Sequence, residues 1–417
     1  MRRPRWLTAS RWRVVWLVAA LLPVGRQRAA AQSTRGDSSR APSDERSSLR
    51  LASDGEMSLT LGGYLQVDGR LMSGTLPAPS DGLLLRRARL VFDARMPNGW
   101  HLRLQPDFGQ SRVLVQDAYV GYDNARTTAR VGRFRPAFGV ERFQSSATLL
   151  HGERSLVNSL MPSRSFGAQA TVRRGALTLA IGGFRTPISA AQQVVDTDGD
   201  AEAAPGSGHD LLARLAWAPR RGARYADVQL ALLAGRERGE ANATGISRLL
   251  TVGQQPLLAF RNDGTIASTA IADGARNRLS LGGAIGDART MFGLEGALFT
   301  QEVRLDRVRR ELTASGLSVR VAHLRGGTRR PTQEVVPAGT RGAIDVGLRL
   351  GALAAWGDDI RAVITRRSAT HALSAGTAIA WIPTTLTRLS LAYDVTTVRR
   401  ERGVREHLLL VRVQQGF

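Results

Sequence analysis

Apolar and polar residues alternate along much of this chain. Leu59, Leu61, Leu65 and Val67 occupy odd positions, while Tyr64, Gln66, Asp68 and Arg70 fill even ones. The same period recurs in Trp100, Leu102 and Leu104 against His101, Arg103 and Gln105, and in Ile344, Val346, Leu348 and Leu350 against Asp345 and Arg349. It returns in Leu389, Leu391, Tyr393 and Val395 against Arg388, Ser390 and Asp394, and in Leu409, Val411 and Val413 against Arg412 and Gln414. Successive side chains of a strand point to opposite faces, so each run predicts a strand with one oily and one wet face. Runs of about ten residues exceed the five or six usual in a soluble sandwich and suit strands that cross a bilayer.

Tight turns such as Pro97-Asn98-Gly99 and Asp123-Asn124-Ala125 alternate with long polar stretches at 186–208, 237–245, 262–275 and 326–340. Short turns at one end and long external loops at the other are the habit of membrane barrels, and the chain closes on Phe417 after an alternating strand. The predicted fold over 57–417 is therefore all-β, a transmembrane antiparallel barrel. Sixteen strands leave roughly 23 residues for each strand and its connection, and fourteen or eighteen also fit.

The N-terminus changes the picture. Arg2, Arg3, Arg5, Arg11 and Arg13 precede an apolar stretch from Val14 to Val24, followed by Ala29, Ala30 and Ala31. That order predicts a secretory signal peptide over 1–31, since the apolar core is about half the ~20 residues a spanning helix needs. Residues 32–56, rich in Ser, Arg and Asp, are expected to be a disordered leader. The net charge is +23, every basic residue is Arg, and cysteine is absent, which excludes disulfides and thiolate chemistry. Removing 1–31, with seven arginines and no acid, leaves +16.

Parity assigns the charges to faces. In the second strand Leu84, Ala88, Leu90, Phe92 and Ala94 share one side, so Arg87, Arg89, Asp93 and Arg95 share the other, the lumen. Arg86 counts to the apolar side, unless a strand end, a bulge or a subunit contact turns it. The same parity sends Arg70, His101, Arg103, Asp107, Arg320, Arg349, Arg388 and Arg412 inward. A charge facing lipid at mid-depth costs about 2–4 kcal/mol, so inward placement is also the cheap one. The third loop, 139–165, is longer than a hairpin needs, as a segment folded into a pore would be; packing among external loops is the alternative.

Leu85-Arg86-Arg87-Ala88-Arg89-Leu90, Gly99-Trp100, Gln105-Pro106-Asp107-Phe108, Asp117-Ala118-Tyr119, Val131-Gly132-Arg133-Phe134 and Phe138-Gly139-Val140-Glu141 together resemble the phosphate-selective porins of the O and P type. The likeness continues through Ser145-Ser146, Glu153-Arg154-Ser155 and Ser165-Phe166-Gly167, and returns in Trp381-Ile382-Pro383 and Leu391-Ala392-Tyr393-Asp394. The resemblance implies a sixteen-stranded trimeric barrel whose inward third loop narrows a basic channel, with Arg86, Arg87, Arg142 and Arg70 near the constriction. With Arg89 these are the candidate anion-binding residues; Asp93, Arg95, Arg103, Asp107, Arg320, Arg349, Arg388 and Arg412 are lumen-lining candidates. Arg142 stands where members often carry Lys, exchanging a mobile point charge for a planar fork.

Other constellations are weaker. Asp196, Asp198 and Asp200 have the every-second-residue spacing of a calcium loop without its downstream Glu. His151, Glu153 and Ser155 lack a G-x-S-x-G motif, so no enzyme is expected. The arginines of 307–310 and 399–402 lack interleaved aromatics and suit lipopolysaccharide rather than nucleic acid. The expectation is a bacterial outer-membrane porin passing phosphate or related small anions, as a homotrimer in lipid, with no cofactor. The alternatives are a general porin with weak anion bias and a non-conducting adhesive barrel that binds surface polyanions.

Overall fold

The computed structural model describes residues 48–53, 57–74, 81–111, 113–187, 194–195, 201–202, 205–241, 244–399 and 404–417. Residues 1–31, most of the leader and Asp196, Asp198 and Asp200 lie outside them.

Sixteen strands make one closed antiparallel barrel. They are β1 Ser58–Gly74, β2 Gly82–Arg95, β3 Trp100–Asp107, β4 Leu114–Asp123, β5 Thr127–Phe134, β6 Ser165–Arg174, β7 Leu177–Pro187 and β8 Pro205–Trp217, then β9 Arg224–Arg238, β10 Ile271–Gly286, β11 Thr290–Leu305, β12 Val308–Arg325, β13 Ala343–Gly357, β14 His371–Ile382, β15 Thr387–Val398 and β16 Val404–Gly416. Closure runs through β1, which pairs Leu61 with Phe92 of β2 and Val67 with Val413 of β16. Each of the sixteen strands pairs with a neighbour on both sides, so along the described ladders the backbone groups are satisfied within the wall rather than by lipid. The alternation does what it predicted: Leu102 and Leu104 are exposed outward while His101, Arg103 and Gln105 are buried within.

The wall is uneven. Strands β3 and β5 have 8 residues each, whereas β12 has 18. Order also starts earlier than Met57. Ser48–Ser53 forms a strand paired with the start of β1, Leu49 facing Leu61, because Leu49 and Leu51 continue the alternation.

Two connections differ from the sequence reading. The stretches 237–245 and 262–275 begin and end in β9 and β10 and lie at the two ends of the one connection between those strands, and the apolar segment between them is not a strand. Leu249, Val252, Leu257 and Leu258 are instead buried with Leu156, Val157 and Leu160 of the third loop. Residues 326–340, expected as an external loop, join β12 to β13 at the short-turn end. There Arg329 donates its backbone N–H to Ala288 in the turn between β10 and β11. Gly327–Arg329 and Val335–Pro337 pair as a small hairpin, held by Arg329 on Asp345 and by Gln333 on the Tyr225 hydroxyl.

Candidate functional site

After β5 the chain reaches the third loop at Gly139, whose φ of +80° suits glycine, and enters a single helical turn, Val140–Phe143. Glu295 on the far wall accepts the backbone N–H groups of Val140 and Glu141 at 2.6 and 2.9 Å. The loop then crosses the lumen and packs Val157 and Leu160 against Gly316 of β12, where a Cβ would come within 3.2 Å of both. The inward fold expected from its length is present.

Arginines from five strands fasten this loop to the wall. Arg86 grips Glu153 with two prongs, Nε to Oε1 at 2.9 Å and Nη2 to Oε2 at 3.0 Å. Arg70 reaches the same carboxylate at 2.5 Å. Arg412 forks onto Asp68, both bonds 2.7 Å, and donates to the Gly152 carbonyl at 2.8 Å. Arg349 donates to the Glu153 carbonyl at 2.6 Å and pairs with Asp394 at 2.9 Å, while Arg388 donates to the carbonyls of Thr148 and Leu149 at 3.2 Å. Burial alone would raise the Glu153 pKa, but Arg86, Arg70 and Arg412 outweigh it and hold the carboxyl well below the usual range. Glu141 is lowered in the same way, its burial outweighed chiefly by Arg320 and Arg349. Burial, reinforced by Arg349 and Arg320, keeps the His151 imidazole neutral, well below its ordinary value.

Arg86 owes its position to a bulge. Gln66 of β1 faces Arg87 and Val67 faces Leu85, so Arg86 is the extra residue, unopposed across the ladder. Leu85 therefore points out while Arg86 and Arg87 both turn in, 2% and 1% exposed. Arg87 donates to Gln66 at 2.7 Å; Arg89 pairs with Asp107 at 2.7 Å and donates to Tyr64 and Ser146. Arg103 pairs with Asp93 at 2.8 Å, and Arg95 ends β2 opposite His101. Arg142 is buried in the helical turn, and its carbonyl accepts from Arg135 at 2.8 Å.

A second set of arginines surrounds Phe143 and Gln144. Arg214 of β8 donates to Gln229 at 2.6 Å, with its guanidinium 5.5 Å from the Phe143 ring centre. Arg320 of β12 donates to Gln144 at 3.1 Å, and Arg130 of β5 lies 5.2 Å from the Tyr119 ring centre. None of the three has a carboxylate oxygen within 4.0 Å among the described residues. Each lines a cavity that Phe143 or Gln144 also lines. The sequence reading named Arg320 but missed Arg130 and Arg214. The signal was present, since Arg214 alternates with Leu211, Leu215 and Trp217, all exposed on the outer face.

A closed sixteen-stranded barrel with a loop pinned across its lumen is an outer-membrane porin, a channel and not an enzyme. The family model "Phosphate-selective porin O and P" matches residues 64–323, and the chain belongs to that family of the bacterial outer membrane. Solved structures share the fold. The outer membrane channel DcaP of Acinetobacter baumannii superposes with a TM-score of 0.58 at 11% identity, covering 88% of this chain and 99% of that one. The anion-selective porin from Comamonas acidovorans gives 0.52 at 11% over 87% and 100%, and OmpT of Vibrio cholerae 0.51 at 11% over 88% and 99%. No curated protein matches by sequence.

Proposed function

We propose that this porin passes small anions, phosphate and related oxyanions among them, by diffusion through an arginine-lined constriction. The observation that carries the reading is the trio Arg130, Arg214 and Arg320, which faces the cavities around Phe143 and Gln144 with no carboxylate oxygen within 4.0 Å among the described residues. Guanidinium groups there replace an anion's hydration by charge-assisted hydrogen bonds and release it to the next. Within this proposal Arg70, Arg86, Arg349, Arg388 and Arg412 act chiefly by holding the third loop in place. Arg87, Arg89, Arg103 and Arg142 supply positive potential beside it, with Asp93 and Asp107 fixing the guanidinium forks.

The test is a planar-bilayer recording. Reversal potentials in a KCl gradient report anion over cation permeability, and phosphate is then titrated against the chloride current. Arg214→Gln and Arg320→Gln are expected to lower the permeability ratio and weaken a saturable phosphate block. Chloride current that phosphate leaves untouched reduces the protein to a general anion-biased porin, and folded protein without current points to an adhesive barrel.

Assembly into three copies belongs to the same proposal. Eight residues at about 3.3 Å each, tilted about 40°, span roughly 20 Å, short of the ~25 Å apolar band of a barrel. A neighbouring copy would cover the low wall at β3 and β5. OmpT of Vibrio cholerae, of the same fold, has been solved in a trimer form. Cross-linking in native outer membranes tests it, and a band at one chain's mass alone would rule it out.

A further inference from the structure

The cavity on the β8–β12 side of the third loop is built differently from its neighbour. Beside β3 and β4, Arg89, Arg103 and Arg164 line a space in which each already holds a carboxylate, Asp107, Asp93 and Asp117 respectively, and Arg130 lines it beside the Tyr119 ring. In the other cavity Arg214, Arg220 and Arg320 face a single acid, Asp227, which is not within 4.0 Å of any of them. No carboxylate therefore occupies their donors directly, although Glu141 acts on Arg320 and Asp227 on Arg214 and Arg220 at longer range.

Its remaining surface joins Gln144, Gln229, Thr332 and Gln333 to an apolar wall. Val140 and Phe143 come from the loop, Tyr225 and Ala284 from the wall. Phe143 is only partly buried, so ring surface stays accessible beside Arg214. The Tyr225 hydroxyl is engaged by Gln333, which turns its polar end toward the hairpin. A bare oxyanion gains nothing from such walls, whereas an anion with a flat apolar body removes them from water together with itself. One nitrogen of each of Arg214 and Arg320 is spent on Gln229 and Gln144, which orients the guanidinium and leaves its other donors for a two-oxygen head group.

We infer that this cavity is a binding site for aromatic carboxylates, with the carboxylate on Arg214 and Arg320 and the ring against Phe143 and Tyr225. The inference rests on the anion-channel reading and narrows it to a class of organic substrate.

The experiment measures block of the chloride current by acetate and by benzoate at pH 7, where both carry one negative charge. Benzoate is expected to half-block at a concentration about tenfold below that of acetate. Phe143→Leu is expected to bring the ratio toward one, and Arg214→Gln to weaken both blocks. Tyr225→Leu provides an independent reading should Phe143→Leu not fold, and the heat-modifiable gel shift of folded barrels reports which variants did. Equal block by the two anions in the wild type overturns the inference, as does a benzoate advantage that survives loss of either ring. A channel that is cation-selective or carries no chloride fails earlier, at the anion-channel reading itself.

Discussion

Arg86 and Glu153 meet through two parallel hydrogen bonds, 2.9 and 3.0 Å long, between a bulged strand residue and a loop that crosses the barrel. Arg70 and Arg412 crowd the same carboxylate. Removing it leaves buried guanidinium charge uncompensated, and breaking one side of a buried pair typically costs about 3–5 kcal/mol. Glu153→Gln should therefore lower the unfolding temperature and give larger, noisier single-channel openings as the loop loosens. Wild-type conductance and melting in that variant would show that the loop is held by its apolar contacts alone.

The same carboxylate sets an acid limit. A group whose folded pKa is depressed contributes stability above its unfolded value, about 4.3 for Glu, and loses that contribution as pH falls through the folded pKa. Glu153 and Glu141 are both depressed, and His151 stays neutral. The contacts of Glu153 and Glu141 should therefore persist from pH 7 to about pH 4 and loosen only below. A conductance step near the ordinary histidine pKa of about 6.5 that His151→Gln abolishes, or one near 4.3 that Glu153→Gln abolishes, would contradict these assignments.

The bulge makes a prediction about deletions. Leu85 points out and Arg87 points in, so excision of Arg86 restores strict alternation without reversing any residue on either side. That variant should still fold, judged by its gel shift, while losing the two-pronged grip on Glu153. Deleting Val91 instead reverses part of β2 and should abolish folding. Equal folding yields for the two deletions would refute the register.

Much of this was legible in the alternation, and its failures have local causes. Arg103, Arg320, Arg349, Arg388 and Arg412 were readable as inward because their strands are regular and an outward charge is costly. Arg86 was not, since one unopposed residue breaks the count. Which arginines hold the loop and which face the cavities was also hidden. That division depends on where Glu153 and the carbonyls of Thr148, Leu149 and Gly152 arrive, and no spacing within a strand encodes it. Arg130 and Arg214 were readable by the parity that found Arg320. The apolar residues of 246–258, by contrast, have the composition of a strand and differ only in being packed against another loop.

The hairpin at 326–342 matters because polarity and length alone could not say which end of the barrel it occupies. Its tip residue Gln333 lines a cavity with Gln144, Glu141 and Arg320, so it borders the third loop from the short-turn side. The Arg329–Asp345 pair, both ends buried, and the Gln333–Tyr225 bond pin it there. Replacing 327–340 by a two-residue turn removes this obstruction while keeping Arg130, Arg214 and Arg320. Single-channel conductance should then rise, and the anion-to-cation permeability ratio should change by less than about twofold, because selectivity follows the charges that line a pore and conductance also its width. Recording both from the same membranes separates the two effects. A ratio that collapses as conductance rises would assign selectivity to the hairpin instead of the arginines around Phe143.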